Sequence, residues 1–238
     1  MMFFHKTPTV VLDCFTPYSS VLDHFPIQLS DQIKPSFSKK IPTQTLESSA
    51  VHPRHCPGMH DLINRGLVLP TWAEIFFTVT VENNNVNIDI QEKSGETPIT
   101  PMNFALDGSD PYFNKVDYVF EKICPPWKIK ANSKVNFLQT NALHYHMNVD
   151  FIVVSGVLDF YYQHSTSVIQ AINKSKNNKF SIIPGEPICQ FIPLEKINLK
   201  LKNHCVSSEE FDKMDREVTF INNFVKLKEW SLKRSSYV

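Results

Sequence analysis

The stretch AEIFFTVTVENNNVNIDI, Ala73–Ile90, decides the fold. Apolar and polar residues alternate in it with a period of two on both sides of the tetrad ENNN, and consecutive asparagines tolerate the positive φ of a tight turn. It reads as two antiparallel strands joined by a hairpin. Short runs of the same kind continue down the chain: YVFEKI (118–123), WKIKA (127–131), KVNFLQT (134–140), DFIVV (150–154), SVIQAI (167–172) and FSIIP (180–184), with ICQFIPL (188–194) as the last. Between hairpin and second run, residues 93–111 hold Gly95, Gly108 and several prolines and read as a long loop. So many short strands predict a mainly β domain over residues 72–205, an antiparallel β-sandwich or small jelly-roll-like barrel.

The flanks read differently. Residues 1–71 are expected to form an N-terminal arm, with a β-prone run at Thr9–Leu12 and a polar, proline-punctuated tract at Asp31–Pro53. A short helix follows, starting near Pro57 and stopped by Gly66 in a left-handed cap. In residues 206–238 the period changes to that of a helix. Ser207 and Glu210 form a capping-box pattern, and Phe211, Met214, Val218, Ile221 and Val225 fall on one stripe with Trp230 beyond. A stripe of that length is expected to pack on the sheet or on a partner subunit, which allows a homo-oligomer.

Composition excludes several classes of function. Lys plus Arg and Asp plus Glu are 24 each, so no net field favours nucleic acid or acidic membranes. Glycines number only six, and neither GxGxxG nor GxxxxGK[ST] occurs, which disfavours a nucleotide-cradling α/β fold. The five cysteines are widely spaced with no CxxC pair and read as reduced thiols. No run resembles a secretory signal or a membrane span, so the expected place is a cytoplasm.

The chemistry-bearing stretch is HYHMNVDFIVVSGVLDFYY, His144–Tyr162. On an unbroken strand, His144, His146 and Asp150 share one face. Two imidazoles and a carboxylate suit Fe, Mn, Ni or Zn with open positions for substrate. The spacing HxHxxxD with Gly156 six residues on resembles the first cupin motif, although Asp150 replaces the usual Glu and the second-motif histidine is missing from IIPGEPICQF. That resemblance implies a metal-dependent oxygenase or isomerase. SGVLDFYY and IIPGEPICQFIP also resemble two segments of the dUTPase-type β-clip, which would make Asp159 a base and Tyr161 or Tyr162 the residue stacked on deoxyribose. The β-clip's RSG motif and glycine-rich lid are absent. The plain alternative is a hairpin with turns at Gly156 and Gly185 and Asp159 capping local N–H groups.

A longer resemblance runs over most of residues 9–210. DCFTPYSSVLDHFPI, CPGMHDLINRGLVLPTWAEI, WKIKANSKVNFLQTNAL, FxxxSGVxD and IxPGxPIxQxIPL resemble a domain-of-unknown-function family of marine T4-like phages and some bacteria, with Trp72, Trp127, Gly156, Asp159, Gly185 and Pro193 as its most specific points. It implies a β-rich phage protein made in a host bacterium's cytoplasm, with the virion as a second possible place. HPRHCPGMH gathers His52, His55, Cys56 and His60, a zinc-compatible set in a spacing that matches no zinc module; Cys56 as a nucleophile lacks an oxyanion-hole motif. The expected function is therefore binding or structural, without catalysis, with Asp159, Tyr161 and Trp127 contacting a small-molecule ligand or protein partner. The cupin-like enzyme using His144, His146 and Asp150 is the alternative.

Overall fold

A computed structural model describes residues 7–33, 57–82, 85–93, 102–103, 118–142, 151–173 and 178–214. In chain order the elements are β1 (Thr9–Thr16), α1 (Ser19–His24), β2 (Gln28–Leu29), α2 (Pro57–Ile63), β3 (Leu67–Pro70), β4 (Ile75–Glu82), β5 (Asn85–Glu92) and β6 (Met102–Asn103). Then come β7 (Tyr118–Ile123), β8 (Lys128–Ala131), β9 (Asn136–Thr140), β10 (Phe151–Val153), β11 (Gly156–Asp159), β12 (Val168–Asn173), β13 (Asn178–Ile182), β14 (Pro187–Pro193) and β15 (Asn198–Cys205). A further helix, α3, starts at residue 208 and is described as far as residue 214.

The protein is mainly β and sandwich-like, and the described residues form no closed barrel. Its sheets run in the orders β15-β1-β8, β10-β12-β7-β6, β11-β9-β14-β3-β2 and β13-β4-β5. Among the described residues all strand pairings are antiparallel except β1 with β15, which run parallel from Thr9↔Asn198 to Thr16↔Cys205. The hairpin over residues 75–92 forms in the register its alternation requires, from Ile75↔Glu92 to Glu82↔Asn85. Its inner row, Ile75, Phe77 and Val79, is buried while Phe76 is exposed. Phe77 stacks on Phe180 of β13 at 4.7 Å between ring centroids.

One apolar core joins the four sheets. It takes Val10, Leu12 and Cys14 from β1, Leu67 and Leu69 from β3, Phe137 from β9, Val168 and Ile172 from β12 and Phe191 from β14. Phe160, wholly buried, sits between Phe137 and Phe191 with both centroid distances at 5.2 Å. Strands β3 and β14 are buried on both faces, so each reads as a continuous apolar run rather than an alternation.

Several elements depart from the sequence reading. Residues 9–16, within the expected arm, form the middle strand of a sheet. ICQFIPL is not the last strand: β15 follows, and its Leu199 and Leu201 alternate with exposed Lys200 and Lys202. Gly156 is no turn residue but the first residue of β11, with open space where a Cβ would stand. Part of the 93–111 loop, β6, pairs with β7. Gly66 does not cap α2 directly; it has φ +90 three residues after the helix, where its Cα lies against the backbone of β14.

Candidate functional site

A cleft of about 380 Å³ opens where the ends of several elements meet. Pro17 and Tyr18 enter it from the turn after β1, Trp72 from the link between β3 and β4, Cys124–Trp127 from the link between β7 and β8, and Lys128 from the first position of β8. Ser165 and Ser167 come from the segment before β12, and Ser208, Phe211 and Asp212 from α3. The two prolines before Trp127 end β7 because neither can donate to a ladder, and they turn the chain sharply into β8.

Hydrogen bonds hold the cleft floor rigid. Thr166 donates its hydroxyl to the Trp127 carbonyl at 2.6 Å, and Ile129 N–H donates to His164 O at 2.9 Å. The Ser165 and Ser167 hydroxyls lie 2.7 Å apart, and Ser167 O accepts from the Gln139 side chain at 3.2 Å. Against this order stand the indole N–H groups of Trp72 and Trp127, both buried without a hydrogen-bond partner among the described residues. Each such donor costs roughly 1–3 kcal/mol. Lys128, only 4% exposed, donates its ammonium to the Phe211 carbonyl and lies 3.9 Å from the centroid of the Phe211 ring.

The residues singled out in the sequence are dispersed. Asp159 Oδ1 accepts from Tyr161 N–H at 2.9 Å, and Asp159 O accepts from Tyr162 and Gln163, so the carboxylate caps a local turn. Tyr161 is exposed and meets Tyr162 edge-on at 4.9 Å. Trp127 belongs to the cleft. Segment 160–165 runs beside β8, with Phe160 bonded to Ala131 and His164 to Ile129, so Asp159 and Tyr161 lie at the opposite end of β8 from Trp127. From Trp127 to Ala131 is four residue steps, roughly 13 Å along an extended chain.

His144, His146 and Asp150 lie outside the described residues, as do His52, His55 and Cys56. His60 is exposed on α2. No group of three His, Cys, Asp or Glu side chains suited to a metal ion occurs among the described residues. Cys14 and Cys189 are free thiols whose burial pushes their pKa up, which leaves them unreactive; Cys205 is free and exposed.

Three polar features gave no signal in the sequence. Asp13 and His204, on neighbouring β1 and β15, meet at 2.8 Å, with the imidazole stacked on Phe15. Gln190 on β14 caps the end of α2. Glu121 and Gln170 face each other across β7 and β12, both buried, with Glu121 Oε2 and both Gln170 amide atoms lacking partners among the described residues. Burial raises the Glu121 pKa above its ordinary value. A carboxyl that holds its proton more tightly when folded gives a stability that falls as pH rises from the unfolded pKa through the folded one. Glu121→Gln is therefore expected to be more stable than the parent at neutral pH, with the gain shrinking towards about pH 3, below the unfolded pKa, where both states are protonated. Urea unfolding at the two pH values measures it, and a gain that does not change with pH would contradict the assignment.

No protein-family model, curated protein or solved structure matches the chain. No helix among the described residues is long and apolar enough to cross a membrane.

Proposed function

We propose that this chain is a non-catalytic binding protein of the phage-type β-rich family it resembles, and that its ligand occupies the cleft between β8 and α3. The observation that carries the reading is the pair of buried indole donors, Trp72 and Trp127, without a hydrogen-bond partner among the described residues, in the wall of one cleft. Its volume of about 380 Å³ suits a small molecule or one or two side chains of a protein partner. A rigid floor with a few convergent polar groups is what a pre-formed site provides.

Fluorotryptophan labelling tests this. The three tryptophans are assigned with Trp72→Phe and Trp127→Phe variants, and the labelled protein is screened by fluorine NMR against a fragment library of acids, amides and sugars. Fragments are expected to move the Trp72 and Trp127 resonances. If none does so, the reading fails. Elemental analysis of protein purified without chelator or affinity tag guards the alternative: about one Fe, Mn, Ni or Zn per chain, lost in folded His144→Ala and His146→Ala variants, would replace the binding reading with the cupin-like enzyme. Recovery of the chain in purified phage particles would assign the bound partner to the virion.

A further inference from the structure

The outer face of the sheet β15-β1-β8 carries a charge pattern that the chain's zero net charge hides. Val10, Leu12 and Cys14 of β1 turn inwards with Ile129 and Ala131 of β8, so Val11, Asp13 and Phe15 turn outwards. Register then sets Lys200, Lys202 and His204 of β15 beside Val11, Asp13 and Phe15, and Lys130 of β8 beside Asp13 from the other side. The three strands contain one carboxylate, Asp13, and its Oδ1 is held by His204 at 2.8 Å. Lys130, Lys200 and Lys202 are exposed, and none of them enters an ion pair among the described residues. Beside them lies an aromatic pair. The His204 ring stacks on Phe15 at 5.1 Å with 21° between the planes, and its side chain is 39% exposed.

We infer that this face is a docking surface for single-stranded nucleic acid, with phosphates on Lys130, Lys200 and Lys202 and a base stacked on His204. The surface is separate from the cleft and stands whether or not the cleft binds a ligand. Lys200 and Lys202 are roughly 7 Å apart along β15, and Lys202 and Lys130 roughly 10 Å apart across the sheet. Cations spread in that way match an extended polyanion better than one small anion. Lysine serves as a point charge that any phosphate in reach satisfies, and every base has a π-face to lay on an imidazole. An acidic protein segment would pair with the lysines but make no use of the rings. A duplex keeps its bases stacked on one another, which leaves His204 without one. Helix α3, which brings Glu209, Glu210 and Asp212, meets the sheet at Lys128 beside Phe15. It stays in place, and like charge directs the phosphates towards Lys200, at the far end of the face.

The probe is a fluorescein-labelled oligothymidylate of about twelve nucleotides, titrated with the full chain and followed by fluorescence anisotropy between about 50 and about 200 mM salt. Binding is expected, with log affinity falling against log salt at a slope of about −2 for three phosphate contacts. Lys130→Gln and Lys202→Gln should each make that slope shallower by about 0.7. Lys179→Gln, an exposed lysine on β13 in another sheet, should leave it unchanged. His204→Ala and His204→Phe both lose the bond to Asp13, but only the second keeps a ring. The alanine variant should therefore bind at least about fivefold more weakly than the phenylalanine one. Equal affinities in those two variants would remove the stacked base and overturn the inference. So would a loss in Lys179→Gln as large as that in Lys202→Gln, which would make the attraction general to the surface. Polyglutamate of similar length that competes as well as the oligonucleotide would transfer the face to an acidic protein. No binding even at about 50 mM salt would leave the lysines as guards of the β15 edge and end the proposal.

Discussion

Gly66→Ala is expected to lose about 2–5 kcal/mol of stability, from a left-handed backbone cost of roughly 1–2 kcal/mol and an overpacking cost of roughly 1–3 kcal/mol. Gly66 has φ +90, which an L side chain rarely adopts. A Cβ there would overlap the carbonyl oxygen of Phe191 and come within 3.0 Å of Ile192 Cα. Both obstacles are main-chain atoms of β14, so no rotamer change relieves them. Moving β14 would disturb its pairing with β3, and Gly66 O also accepts from Ser30 N–H at 3.0 Å. Thermal unfolding should show a fall on the order of 10 °C. Gly185 is the control, with φ +83 but nothing nearer its Cβ position than Phe25 carbons at 3.8 Å. Gly185→Ala should therefore cost only the backbone term, roughly 1–2 kcal/mol. Equal losses in the two variants would show that the β14 contact contributes nothing.

Gln190→Leu is expected to cost about 2–4 kcal/mol, because a single amide satisfies the end of a helix from the core. Gln190 Nε2 lies 2.9 Å from Arg65 O, 3.2 Å from Leu62 O and 3.3 Å from both Ile63 O and Ser30 Oγ. A helix leaves its last carbonyls without partners, and those of α2 are turned into the protein rather than to water. Its two N–H bonds are shared among the four acceptors. Leucine fills similar space but leaves every acceptor without this donor. Gln190→Glu should be worse at neutral pH, since a carboxylate would face carbonyl oxygens. Its proton is then held above the ordinary carboxyl range in the folded state, so the variant should regain stability as pH falls. Urea unfolding at neutral and acid pH gives both results; a Gln190→Glu variant as stable as the parent at neutral pH would contradict the capping role.

The residues of I-x-Q-x-I show why such roles are hard to read. Ile188, Gln190 and Ile192 have the parity of one strand face, and all three are buried. A buried glutamine in a β-prone run suggests a ligand contact as readily as a structural one. Its acceptors lie more than a hundred residues earlier in the chain, on a helix end whose direction only packing sets. Lys128 is similar. Lys128 and Lys130 share parity on β8, yet the first is buried and the second exposed, because α3 covers only one end of the strand. Asp13 and His204 meet only because β1 and β15 pair in parallel, a long-range contact with no local signature.

Local information sufficed wherever one face of a strand meets water. The alternation in residues 75–92 determined a hairpin and its register, because a slip of one residue would turn Ile75, Phe77 and Val79 outwards. Ser207 and Glu210 determined the start of α3, because a capping box closes within one turn. Tertiary structure alone decided the rest. Strand β3 is buried on both faces, so LVLP shows no alternation. Gly66 is required by a backbone brought to it by β14, not by its neighbours. The cleft combines residues from Pro17 to Asp212, and Asp159 and Tyr161, close in sequence to its Ser165 wall, lie at the other end of β8. The physical reason is common to all three: strand pairing and core packing join residues far apart in the chain, whereas periodicity and turn chemistry act over a few residues.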